Sequence, residues 1–146
     1  MWFAYALSAA IIWGISYAAS GRAIERGVSP VVFFTLYASV GAVMGLLALS
    51  LAGKLAAFPN EIRAVGRDWP WLAVAVVTSG VGALLIYMAI GEKNATLASL
   101  IEISYPVFVA FFAWLFFRET QFNLMTVLGG LMIVAGVTVV FLGNKN

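Results

Sequence analysis

Five apolar runs, each close to twenty residues long, constrain this chain more than any other feature: Trp2 to Ala19, Pro30 to Leu51, Trp71 to Ile90, Ala95 to Phe117 and Leu124 to Leu142. A helix rises about 1.5 Å per residue, so roughly 20 apolar residues cross a hydrocarbon core of about 30 Å. Unpaired backbone groups are too costly in lipid for anything but helices or a closed barrel. None of the runs shows the strict apolar–polar alternation of a barrel strand. The predicted fold is therefore all-α: a polytopic membrane protein built as a bundle of five transmembrane helices. A mean hydropathy of +1.04 with only 10% charged residues places the chain well outside the range of soluble domains.

The same composition excludes several functions. With no cysteine and no histidine, the chain offers no disulfide, thiolate or imidazole chemistry and little for a transition metal, so neither a metal nor a cofactor is expected. No hydroxyl–base pair or Gly-rich phosphate loop supports catalysis, and an enzyme is not expected. The net charge of +2 is scattered over short loops, which makes no basic patch for nucleic acid. The first run carries an A-x-A-like Ala18 and Ser20, but it has no basic flank, is too long for a signal peptide and is followed by four further spans.

The fourth run, ATLASLIEISYPVFVAFFAWLFF, is the irregular one. Of six carboxylates in the chain, only Glu102 lies inside an apolar run. An ionisable side chain there needs either a partner or a function. Four residues on, Pro106 has no N–H for the Glu102 carbonyl, so a helix break is expected beneath the charge. At about 100° per residue, Ala95, Ala98, Ser99, Glu102, Tyr105, Pro106, Val109 and Ala113 share a small and polar face. Leu97, Leu100, Val107, Phe108, Phe111 and Leu115 take the opposite, lipid-like side.

The other runs supply packing surfaces and aromatics. Ala6, Ala10, Gly14 and Ala18 form a small-xxx-small ridge, Gly41 and Gly45 a GxxxG pair, and Gly129 and Gly136 lie seven apart. Such residues let helices, or chains, approach closely. Trp13, Ser16, Tyr17 and Ser20 share a stripe on the first run, Tyr37 lies one turn before Gly41, and Tyr87 shares a stripe with Gly80, Ala83 and Gly91. Between the second and third runs, residues 52–70 should hold a short surface helix, with Asp68 as the N-cap of the third span and Trp69 and Trp71 as interfacial anchors. The loop of Gly91 to Asn94 is short enough that spans three and four should be antiparallel neighbours.

Loop charges balance. Lys54, Arg63, Arg67 and Arg118 fall on one side of a five-span topology and Arg22, Arg26, Lys93 and Lys145 on the other, four against four. The positive-inside rule then sets no orientation. The expectation is dual topology, with two oppositely inserted copies pairing as an antiparallel homodimer, each forming one half of an inverted-repeat, ten-helix assembly.

The chain also resembles one EamA-type unit of the drug/metabolite transporter superfamily, over its whole length of 1–146. The resemblance rests on Trp13-Gly14, on Ser29-Pro30, and above all on ATLASLIEISYPVFVAFFAWLFFRET followed by LGGLMIVAGV. It implies a proline within helix four, a glutamate such as Glu119 after it and a glycine-containing fifth helix. Most members carry two such units in ten helices, so this chain resembles the half-size members thought to act as dimers. It departs from the pattern in having Tyr37 and Ala38 where many relatives carry an arginine, and Glu102 is not a general feature of the two-unit pattern. The resemblance implies a secondary transporter of small molecules in a bacterial or archaeal inner membrane.

Together these readings predict a cavity lined by Glu102, Ser99, Trp13, Tyr17, Tyr37, Tyr87 and Tyr105. There a carboxyl can trade a proton for a cation and aromatic faces attract organic cations. Two alternatives stand beside it. Glu102 can serve the bundle by hydrogen-bonding Tyr105, and the chain can be a non-transporting scaffold or one subunit of a hetero-oligomer.

Overall fold

A computed structural model of the chain describes residues 1–120 and 123–144. Lys145, counted above among the loop charges, lies outside them. All regular elements among the described residues are helical. They are α1 (Trp2–Glu25), α2 (Pro30–Leu51), α3 (Phe58–Ala64), α4 (Trp69–Glu92), α5 (Ala95–Glu102), α6 (Tyr105–Phe117) and α7 (Leu124–Gly143), with a 3-10 turn, Gly66–Asp68, leading into α4. Five spans are long and apolar enough to cross a membrane, the fourth being α5 and α6 together over Ala95–Phe117.

Local chemistry sets the ends of these helices. Ser29 begins α2: its Oγ accepts the Val32 N–H at 3.3 Å, and Pro30, which has no N–H to lose, occupies the first turn. Asn94 and Asn123 do the same for α5 and α7, each Oδ1 accepting at 2.8 Å, from the N–H groups of Leu97 and Thr126. Asn94→Ala removes one of the shorter caps and should cost about 1 kcal/mol. A lower thermal midpoint in detergent is expected, with Asn94→Asp close to wild type; equal midpoints for all three would remove the cap from the account. α1 and α2 both stop at glycines with positive φ, Gly27 at 103° and Gly53 at 66°. Their turns feed Val28 N–H to the Ala23 carbonyl at 3.2 Å and Lys54 N–H to the Leu49 carbonyl at 2.9 Å.

Two boundaries differ from expectation. α1 runs on to Glu25 and does not stop at Ala19, because Arg22 and Glu25, read from sequence as a loop, pair across one turn at 3.5 Å and suit a wet helix end. α4 occupies Trp69–Glu92, two residues longer at each end than 71–90, with Asp68 immediately before it and Pro70 in its first turn. The surface helix expected in the long connection is α3, whose Glu61 pairs at 3.1 Å with Lys54 in the turn before it. Both partners are exposed, so the pair adds at most about 1 kcal/mol.

Contacts divide the chain into two compact units, residues 20–91 and residues 1–19 with 92–146. In the first, Tyr87 is completely buried and Ile90 nearly so. Phe33 meets the Tyr87 ring edge-on at 4.8 Å between centroids, and Tyr37 meets it at 5.7 Å. In the second, α5 packs on α7, Ala98 is buried, and Val107 of α6 faces Gly130 of α7. Most large apolar side chains on the spans point outward, as a lipid-solvated chain requires.

Candidate substrate and coupling site

Five serine and threonine hydroxyls inside the spans are satisfied by their own helices. Thr35, Ser39, Thr78, Ser79 and Thr138 each donate to the carbonyl four residues earlier, at 2.7–2.9 Å. In hydrocarbon this local bond replaces the missing water. Glu102 has no such remedy, since a carboxylate accepts and every backbone N–H of a helix interior is already committed.

The backbone breaks where that carboxyl sits. α5 ends at Glu102, and Ile103 and Ser104 form a tightened turn before α6 begins at Tyr105. Ile103 N–H reaches the Ser99 carbonyl at 3.1 Å and Ser104 N–H shifts to the Ile101 carbonyl, a three-residue step, at 3.1 Å. With ψ near −8° at Ile103 and −15° at Ser104, the chain stays right-handed but is wound tighter than an α-helix. Pro106 lies in the first turn of α6. The break expected of it therefore falls two residues earlier, because a proline is accommodated at a helix start and expels the irregularity to the residues before it. Glu102 thus carries its charge at the C-terminal, electronegative end of a half-helix.

The carboxyl points to the packed side of that half-helix. Ala98 is buried and Ala95, Ser99 and Glu102 are half-buried, while Thr96, Leu100 and Ile101 are exposed. This is the expected face. Leu97 is half-buried as well. Past the break the face changes: Tyr105 and Val109 are 60% and 59% exposed, and Val107, Ala110 and Ala113 are half-buried instead. One periodicity carried through all 23 residues of the span presumes one helix; α6 is instead oriented by α7, where Gly130 admits Val107. Glu102 and Tyr105 share no hydrogen bond and Glu102 forms no ion pair among the described residues. Ser99 Oγ donates to the Thr96 carbonyl at 3.0 Å, leaving its oxygen as an acceptor.

The remaining candidates fall into two groups. Trp13 and Tyr17 stack obliquely at 5.4 Å in the same unit as Glu102. Along α1, Ser16 and Tyr17 are half-buried and Ser20 is buried, whereas Ala6, Ala10, Gly14 and Ala18 are exposed. The Ser16–Ser20 end of the polar stripe, not the small-residue ridge, is the packed side, and Trp13 at its other end is 40% exposed. Tyr37 and Tyr87 lie in the other unit as part of the Phe33 cluster. Phe33 escaped the sequence reading because one phenylalanine among many in an apolar run carries no signal. A Cβ added at Gly14, Gly41, Gly45, Gly129 or Gly136 would meet nothing within 4 Å. The close approach belongs to Gly91, whose Cβ would lie 2.9 Å from Pro30 Cγ.

No group of three or more Asp or Glu side chains among the described residues can hold a metal ion. Five apolar spans, with a single half-buried carboxyl at a helix break, define a multi-pass integral membrane protein. The chain belongs to the EamA-like transporter family, whose family model matches residues 1–142. A membrane transporter-type function in general follows from that membership, in a family that is not enzymatic. No curated protein and no solved structure matches the chain.

Proposed function

We propose that this protein is a secondary transporter that moves small metabolites or organic cations by alternating access, with Glu102 as the group that exchanges a proton for a cation. The observation that carries the reading is the half-buried Glu102 carboxyl, without an ion-pair partner among the described residues, at the electronegative end of a half-helix inside an apolar span. A charge at a helix centre costs roughly 2.5 to 3.5 kcal/mol on insertion scales, a loss that a purely structural residue would not keep. Discontinuous helices place ion-binding ends within the membrane in other transporter folds. Ser99 adds an acceptor one turn away, and the Trp13–Tyr17 pair in one unit and the exposed ring of Tyr37, held against buried Tyr87, in the other each give an aromatic surface for a cation.

The working assembly is an antiparallel homodimer in a bacterial or archaeal inner membrane. Its support is the level loop charge and the open surfaces at Gly14, Gly41, Gly45 and Gly136, where nothing approaches within 4 Å. Reconstitution tests the transport reading. Ethidium added outside proteoliposomes that contain a trapped pH indicator should drive internal pH upward only when the protein is present. Absence of protein-dependent flux for ethidium and for a panel of small metabolites would return the chain to the scaffold alternative. Labelling a C-terminal tag from both sides tests the dimer; exposure on a single side sinks dual topology.

A further inference from the structure

α6 and α7 enclose a half-open cavity of about 520 Å³ that is lined almost wholly by apolar side chains, among them Pro106, Ala110, Trp114, Gly130 and Val134. Its one hydroxyl, on Thr126, already faces the Asn123 cap at 3.0 Å. The cavity offers nothing to orient a polar solute, and it is distinct from Glu102. Pro106 is the central residue of the Ala95–Phe117 span. From there to Trp114 the groove covers about 12 Å, close to one leaflet's share of a hydrocarbon core of about 30 Å.

Charge marks one end of the groove. The Arg118 guanidinium lies 5.5 Å from the centroid of the Trp114 ring, which lines the cavity, and Arg118 forms no ion pair among the described residues. Its backbone is strained, with φ 58° and ψ 23°, in the left-handed region. Where α1 and α2 turn through positive φ they use glycine. α6 uses arginine at the equivalent position, with Arg118 N–H on the Trp114 carbonyl at 3.0 Å and Glu119 N–H on the Ala113 carbonyl at 3.3 Å. A bulky residue held in that conformation points to a use for its side chain.

We propose that this groove binds one acyl chain of an anionic phospholipid from the leaflet that borders the end of α6, with the headgroup phosphate on Arg118. The chain fills the apolar slot from the membrane surface to Pro106. The guanidinium, held over Trp114, takes the phosphate and gives preference for a net negative headgroup.

Native mass spectrometry of the full chain, supplied with equimolar phosphatidylglycerol and phosphatidylcholine, tests this. One retained lipid per chain is expected, with phosphatidylglycerol favoured about fivefold, the factor for one arginine near an anionic surface. Arg118→Gln should bring the ratio to about one. Arg118→Gly should do the same while raising the thermal midpoint, since it relieves the backbone, so misfolding does not explain the loss. Ala110→Phe, which fills the slot, should abolish the retained lipid. In vesicles, acyl-brominated phosphatidylglycerol should quench tryptophan fluorescence more than its phosphatidylcholine counterpart in wild type, and equally in Trp114→Phe. Equal ratios for wild type and both Arg118 variants overturn the proposal. So does a groove that retains no lipid and leaves Trp114 unquenched, the result expected if a second copy covers it.

Discussion

Glu102→Gln is expected to lower ethidium-driven proton movement by roughly 10- to 100-fold while the protein remains folded and monodisperse. Glutamine keeps the shape of the side chain and removes its ionisation. A contact to a charged group contributes about 1.5–3 kcal/mol, which converts to that range of affinity. The stability change should have the opposite sign. Glu102 is half-buried within an apolar span and pairs with no cation among the described residues, so neutralising it removes a desolvation cost and should raise the thermal midpoint in detergent. Activity falling as stability rises is the signature of a side chain retained for function. Glu102→Asp keeps the carboxyl but withdraws it by one methylene, and should give intermediate flux. If Glu102→Gln carries protons at the wild-type rate, coupling lies elsewhere; if it unfolds the chain, Glu102 is a structural hydrogen-bonding group.

Gly91→Ala is expected to destabilise the protein by about 1–3 kcal/mol, less the gain of up to about 1 kcal/mol from replacing a helical glycine. The new Cβ would stand 2.9 Å from Pro30 Cγ and 3.6 Å from Ile24 Cγ2, against a preferred carbon–carbon separation of about 3.5–4.0 Å. A long side chain would swing aside, but the Pro30 ring is tied to the backbone at the start of α2, where its fixed φ sets the first turn. The end of α4 would have to move instead. Pro30→Ala deletes the obstructing atom, so in that background Gly91→Ala should be neutral or slightly stabilising. Thermal midpoints of the four proteins measure the coupling. Losses that add within about 0.3–0.5 kcal/mol would show that the two residues do not meet.

Both predictions use residues on α4 or α5 that were visible in the sequence for different reasons. Glu102 stood out because a carboxylate inside an apolar run is costly whatever the fold. Gly91 did not stand out, since it resembled the other glycines of the spans, and the GxxxG pair Gly41/Gly45 looked the better packing site. Sequence spacing says which residues share a face, but not which face meets a neighbour. The structure puts Pro30 and Ile24 beside Gly91 and nothing within 4 Å of Gly41 or Gly45. The same limit explains α1, where the ridge of small residues is the packing surface expected from sequence and the Ser16–Tyr17–Ser20 stripe the cavity lining, yet the ridge is exposed and the stripe is the side that packs.

The sequence by itself determined the number and approximate limits of the spans, the surface helix α3, the start of the second span at Pro30, the break near Pro106 and the singular position of Glu102. These follow from solvation and local backbone chemistry, which act over a few residues and leave periods, caps and prolines as signals. Only the tertiary structure decided that the break tightens at Ile103–Ser104, that the buried face differs between α5 and α6, and that Phe33, Tyr37 and Tyr87 cluster around one buried phenol. It also decided that Arg118 stands over Trp114 at the mouth of an apolar groove. Those outcomes depend on which helices come together, and in a chain whose spans are apolar on every side, hydrophobicity no longer distinguishes an inward face from an outward one.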